Sequence, residues 1–171
     1  MCNFVVLRLT NKTMKSQIRK AAEVLNGLLR VNNDRVEYYQ KASEKTRELN
    51  LKAIFSNMVV ESEKNASALI REITKSGNDT LGNSTTTRSM FYRFRMEVKE
   101  IFAGKDRESV LDSCVSGEDF AQTAYQAAIS SNELTMQARQ LVRNQQLALK
   151  AFYDIMMTFR NGTPILMPIN L

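Results

Sequence analysis

Apolar side chains recur at alternating steps of three and four along most of this chain, a rhythm that predicts long amphipathic helices rather than strands. The first helix covers residues 16 to 48 and sets Leu25, Leu28, Leu29, Asn32, Val36, Tyr39 and Ser43 along one face. After a corner at Leu49-Asn50 the pattern resumes over Lys52 to Lys75 with Ile54, Phe55, Met58, Ser62, Leu69 and Ile73, so the two should form an antiparallel hairpin. Residues 76 to 87, SGNDTLGNSTTT, read as a long polar loop. A short helix follows from about Arg88 to Phe102, with Phe91, Phe94, Val98 and Ile101 on its apolar side. The third long helix runs from about Asp106 to Ser130 on the stripe Leu111, Cys114, Glu118, Ala121, Tyr125 and Ala128. Ser131-Asn132 turns the chain into a fourth helix, Glu133 to Arg160, with Leu134, Ala138, Leu141, Gln145, Ala148, Phe152, Ile155 and Phe159 in register. Asn161-Gly162 makes a good C-cap, and the apolar tail Thr163 to Leu171 carries both prolines.

One position on the third stripe breaks the apolar rule. Glu118 is an acid on a buried face, and unpaired there it would cost several kcal/mol or more, so a neighbour, a water or a metal must satisfy it. The midpoints of the four long helices fall near residues 33, 63, 118 and 146, and Asn32, Glu61 or Ser62, Glu118 and Gln145 lie at those levels. The bundle is therefore expected to carry a polar layer at mid-height, with Tyr39 or Tyr125 as further members.

Composition narrows the class. The chain has 171 residues with only six Gly and two Pro, which suits one helical domain covering residues 16 to 162. Two cysteines, Cys2 and Cys114, make neither a disulfide framework nor a thiolate metal cluster, and a reducing cytoplasmic setting is the expectation. Cys114 reads as a small buried hydrophobe. No apolar run approaches the length that spans a bilayer, so no membrane partner is expected and the Asn-x-Ser/Thr matches are chance. The net charge of +6 is concentrated in a basic leader, residues 1 to 15, and the residues just after it: Arg8, Lys12, Lys15, Arg19 and Lys20 stand there without an acid. Met14 is an alternative start. Arg88, Arg93, Arg95 and Lys99 interleave with Phe91, Tyr92 and Phe94, a mixture found in single-strand nucleic-acid binders, but arginines flanking an amphipathic stripe are more often its wet side. Nucleic acid is not the expected partner.

The segments VLNGLL, NNDRVEYYQKA, SGEDFAQTAYQAAI and RNQQLALKAFYD resemble an uncharacterised bacterial family of ferritin-like four-helix-bundle proteins, known only as a domain of unknown function. The resemblance covers roughly residues 22 to 160 and is most specific at Gly117-Glu118-Asp119 and Tyr125. It implies an all-α, ferritin-like four-helix bundle: two antiparallel helical hairpins joined by a long crossover that holds the short extra helix. In that topology helices two and three run parallel; the alternative is an up-down-up-down bundle.

Metal-loaded members of the wider superfamily draw a Glu from each of two helices and a Glu-x-x-His from each of the other two. Here Glu118 matches the third-helix carboxylate and Glu61 the second-helix one, but Lys64 stands where the histidine would be, and the chain has no histidine. Gln145 takes the fourth-helix position, and Glu37 is the first-helix acid near mid-height, off the stripe. Fe, Mn or Mg on oxygen ligands is the alternative to a network of hydrogen bonds around Glu118. The leading expectation is a protein without a cofactor and without catalysis, stress-related by resemblance and acting through association, with a homodimer formed through the apolar tail and the crossover helix. A metal-dependent oxidoreductase or metal-storage protein is the competing class.

Overall fold

The computed structural model describes residues 2–76 and 107–162, with side chains from residue 13 onward. Four helices make up these residues: α1 (Cys2–Lys45), α2 (Leu49–Lys75), α3 (Arg107–Ser130) and α4 (Met136–Arg160). The expected short helix at 88 to 102 and the apolar tail from residue 163 lie outside the described residues.

Helix α1 is longer than its apolar pattern suggested, since the backbone stays helical through residues 2 to 15. It ends where Thr46 turns the chain: the Thr46 amide donates to the Ala42 carbonyl, and the Thr46 hydroxyl accepts from the Glu48 amide at 3.2 Å. Helix α4 begins three residues later than expected because Thr135 is its N-cap, with Oγ1 accepting from the Ala138 amide at 3.1 Å. Arg139, one turn into α4, reaches back to the carbonyls of Ile129 and Ser131, so a side chain of α4 satisfies the C-terminal end of α3. The C-cap at the other end is as expected, with Gly162 in the left-handed region at φ 69°.

Topology follows from the pairs that touch. Along α1 from Lys20 through Asn32, Arg35 and Tyr38, the partners on the second hairpin are Glu133, Tyr125, Glu118 and Cys114 in descending order, so α1 and α3 are antiparallel. Helix α2 folds back on α1, with Arg35 opposite Ser62 and Ser43 opposite Ser56. Two helices each antiparallel to α1 are parallel to each other. Thus α2 and α3 point the same way, as the crossover arrangement requires, and the up-down-up-down alternative is excluded.

The core is divided in two. One apolar cluster contains Leu25, Leu28, Leu69, Ile73, Tyr125, Val142 and Leu149; the other contains Tyr38, Tyr39, Phe55, Met58, Leu111 and Met156. Asn32, Arg35, Ser62, Asn65 and Glu118 are buried polar residues that fall between these two sets along α1, α2 and α3, and Gln145 joins them from α4 between Val142 and Leu149 of the first set. The expected polar layer is therefore present, with Ser62 rather than Glu61 as the buried member from α2.

The stripes of α2 and α3 are those read from the sequence, while those of α1 and α4 are rotated. On α1 the buried series is Leu25, Leu28, Asn32, Arg35, Tyr39 and Ala42, with Val36 and Ser43 only half-buried. On α4 it is Ala138, Val142, Gln145, Leu149 and Met156, while Leu141, Ala148 and Ile155 sit at the flank. Each of those α4 positions has an apolar neighbour next to it, so the sequence offers two equally clean stripes, and contact with α2 and α3 selects one.

Candidate functional site: a closed polar layer

Arg35 is what makes the buried carboxylate tolerable. It lies on α1 in the series Leu28, Asn32, Arg35, Tyr39, at steps of four, three and four, which directs it inward. Its Nη1 donates to Glu118 Oε1 in an ion pair whose side chains are 5% and 0% exposed. Arg35 Nε donates to Ser62 Oγ at 3.2 Å, and that hydroxyl donates in turn to the Met58 carbonyl at 2.7 Å. The Tyr39 hydroxyl donates to the same Glu118 oxygen at 2.5 Å. The guanidinium carbon lies 5.3 Å from the centre of the Tyr39 ring, and that ring stacks on Phe55 with 5.7 Å between centroids. Charge, hydrogen bonds and ring stacking thus fix Arg35 from three sides.

A second chain of bonds, one turn away, has its direction fixed by the carbonyls at its two ends. Asn32 Nδ2 donates to the Leu28 carbonyl at 2.8 Å and to the Tyr125 hydroxyl at 2.7 Å. That hydroxyl donates to Gln145 Oε1 at 3.0 Å, and Gln145 Nε2 donates to the Asn65 carbonyl at 3.1 Å. A carbonyl can only accept, so both amides are oriented without ambiguity. All four helices contribute to the layer.

Electrostatics inside it follow from burial. Desolvation lowers the pKa of Arg35, and the neighbouring Tyr39, Tyr125, Cys114 and Glu61 push it back up. Burial raises Tyr39 and Tyr38, and it pushes Tyr125 up to about 12. The Cys114 thiol, 3.4 Å from the Tyr38 hydroxyl, is likewise pushed up to about 12 by burial. At neutral pH it is a protonated, enclosed thiol, as its place on the apolar stripe suggested. The chain has no histidine to act as a base beside it.

The four residues considered as metal ligands do not converge. Glu118 is central, but its Oε1 already takes the Arg35 and Tyr39 donors. Glu61 sits at the rim, its side chain 20% exposed and paired to Lys64 at 3.2 Å, near enough for its charge to act on Arg35. Glu37 is half-exposed and paired with Lys41 at 2.6 Å. Gln145 has both ends of its amide engaged by Tyr125 and Asn65. Among the described residues no group of three or more His, Cys, Asp or Glu comes together that could hold a metal ion. This donor set does not fit a carboxylate-bridged metal pair, and the centre of the layer holds a guanidinium instead.

Arg35 is the residue that sequence reasoning missed. Choosing Val36 for the buried stripe put its neighbour on the surface. Lys64, which stands where the histidine of the wider superfamily would be, pairs with Glu61. The signal was available: the spacing Leu28, Asn32, Arg35, Tyr39, Ala42 is as regular as the alternative, and Glu118 required a cation.

These features define an all-α protein of two helical hairpins, closed around an internal ion pair. The chain belongs to the family described as a domain of unknown function, DUF2383, whose profile matches residues 20–131. That span includes Arg35, Ser62, Asn65, Glu118 and Tyr125, and stops before Gln145. No curated protein matches the chain. Among the described residues no helix is long and apolar enough to cross a membrane.

Proposed function

We propose that this chain is a non-catalytic helical-bundle module of ferritin-like plan, acting through association rather than through a metal centre. The observation that carries this reading is the Arg35–Glu118 pair: a fixed guanidinium satisfies the carboxylate that a mid-bundle cation would otherwise neutralise. A buried pair of this kind adds little net stability against an apolar replacement, and a frequent use of buried polar groups is to specify register. Here it ties α1 of one hairpin to α3 of the other at a single level. The layer then selects one way of docking the hairpins, leaving the outer surface to meet partners, including a second copy of the chain.

Elemental analysis of protein purified without chelator tests the metal side of this reading. The expected result is no stoichiometric transition metal; a stoichiometric metal that is lost in Glu118→Ala would overturn it in favour of an oxidoreductase or storage role. Sedimentation of the full chain beside a chain ending at Gly162 tests association through the apolar tail. A dimer that becomes monomeric on truncation is expected, and two monomers would remove the tail as the interface.

A further inference from the structure

Four polar side-chain atoms of the layer are inaccessible to solvent and have no hydrogen-bond partner among the described residues: Arg35 Nη2, Asn65 Nδ2, Glu118 Oε2 and Asn32 Oδ1. Two are donors and two are acceptors. A lone buried orphan costs about 1–3 kcal/mol, more if it belongs to a charged group, so four at one height call for an occupant.

Their placement limits what that occupant is. On the antiparallel pair α1 and α2, Arg35 stands opposite Ser62. Moving three residues back along α1 reaches Asn32 and three forward along α2 reaches Asn65, so these two amides share a level about 4.5 Å from the ion pair. Each level then presents one donor and one acceptor: Arg35 Nη2 with Glu118 Oε2, and Asn65 Nδ2 with Asn32 Oδ1. The Asn32 amide cannot exchange its donor and acceptor by flipping. Asn32 Nδ2 is held by the Leu28 carbonyl and the Tyr125 hydroxyl, which leaves Oδ1 to its own side. At the ion pair, Nη1 and Oε1 are already joined, and Nη2 and Oε2 are the atoms left without a partner.

We infer that this layer is a binding site for internal water, with one molecule bridging Arg35 Nη2 and Glu118 Oε2 and the Asn32–Asn65 level supplying its further partners. Water is the ligand that both accepts and donates two hydrogen bonds, is small enough for a packed bundle, and adds no charge to a pair already neutral. A metal ion would meet the guanidinium, and an anion the carboxylate. Buried waters in proteins make about three such bonds and persist because removing them exposes the groups they satisfy. The two halves of the apolar core are thus joined through an aqueous bridge as well as through direct contacts.

The test uses the full chain in two measurements. In a high-resolution crystal structure, a solvent peak within hydrogen-bond distance of both Arg35 Nη2 and Glu118 Oε2 is expected. In solution, nuclear Overhauser contacts from water to the Arg35 and Asn65 side-chain N–H protons should carry the sign of a molecule that tumbles with the protein. In the double variant Arg35→Met, Glu118→Leu the contact at residue 35 is necessarily gone, and the water contact at Asn65 should weaken severalfold or vanish. A direct two-pronged Arg35–Glu118 pairing with no solvent peak and no such contacts in the wild type would overturn the inference. Metal content does not enter either readout, so this result and the proposed function stand or fall separately.

Discussion

Arg35 and Glu118, separated by 83 positions in sequence, form an ion pair that joins the two hairpins between the halves of the apolar core. Among the described residues neither charge has an alternative partner of opposite sign in direct contact, so removal of either leaves the other buried. Arg35→Met and Glu118→Leu should each destabilise the protein by about 3–5 kcal/mol, whereas the double variant should be near neutral or more stable than wild type. Urea denaturation of the four species in a double-mutant cycle measures this. A small coupling would remove the pair as the organising contact. Glu118→Gln belongs with the destabilising singles, because the amide leaves the guanidinium uncompensated.

The same cycle run between Glu118 and Lys64 should give a coupling near zero. The Lys64 side chain is 71% exposed and its partner is Glu61, a surface pair of the kind that contributes about 0–1 kcal/mol. A coupling comparable to that of Arg35 would mean that the charges in the layer are assigned to the wrong partners.

How far the sequence could be read depends on the helix. On α3, Leu111, Cys114, Glu118, Ala121, Tyr125 and Ala128 have no competing apolar stripe, and all six are buried as expected. On α4 the adjacent pairs Leu141/Val142, Ala148/Leu149 and Ile155/Met156 give two stripes that differ by a small rotation, and periodicity alone cannot choose between them. On α1 the choice between Arg35 and Val36 was decided by hydrophobicity, which fails when a buried charge on another helix supplies the compensation. That compensation is a property of the assembled bundle. The level of the polar layer was legible because it needs only helix length and rise, and its members Asn32, Ser62, Glu118 and Gln145 were found that way. The pairing within it was not.

Tyr39→Phe isolates one hydrogen bond without disturbing the packing. The ring would keep its stack on Phe55 and its edge contact with Tyr38, and only the hydroxyl that donates to Glu118 Oε1 is lost. A bond to a charged acceptor contributes about 1.5–3 kcal/mol, and a loss in that range is expected from thermal or urea unfolding. A change within about 0.5 kcal/mol of zero would show that the carboxylate is satisfied without it.

Gln145→Leu attacks the other bonded chain. It takes the acceptor from the Tyr125 hydroxyl and a donor from the Asn65 carbonyl, at a site only 4% exposed. The expected cost is about 1–3 kcal/mol, mostly from the stranded hydroxyl, and Tyr125→Phe should cost less in this background than in the wild type, because the hydroxyl it removes has already lost its acceptor while Asn32 loses the same partner in both. A double variant less destabilised than the sum of the singles is the diagnostic outcome, since two unrelated core defects would add instead.

Alkaline pH should loosen the bundle in a window that identifies Cys114. Its thiol has an ordinary pKa of 9.0 and is pushed up to about 12 by burial in the folded chain. Above pH 9 the unfolded chain releases this proton while the native state keeps it, so the native state binds more protons and stability falls as pH rises. The contribution is fully present below pH 9 and is lost on the way to about 12, at about 1.4 kcal/mol per pH unit once the unfolded thiol is mostly ionised. The buried tyrosines have an ordinary pKa of 10.0, and Tyr38, Tyr39 and Tyr125 are all raised, so they add to the slope increasingly as pH approaches and passes that value. Between pH 9 and 10 the thiol and the three tyrosines act together, and comparison with Cys114→Ala isolates the thiol's share. Urea midpoints measured across this interval should decline more steeply in the wild type than in Cys114→Ala, with both proteins declining above it. Parallel profiles for the two proteins between pH 9 and 10 would show that the thiol does not remain protonated in the fold, and that the space around Cys114 and Tyr38 admits solvent.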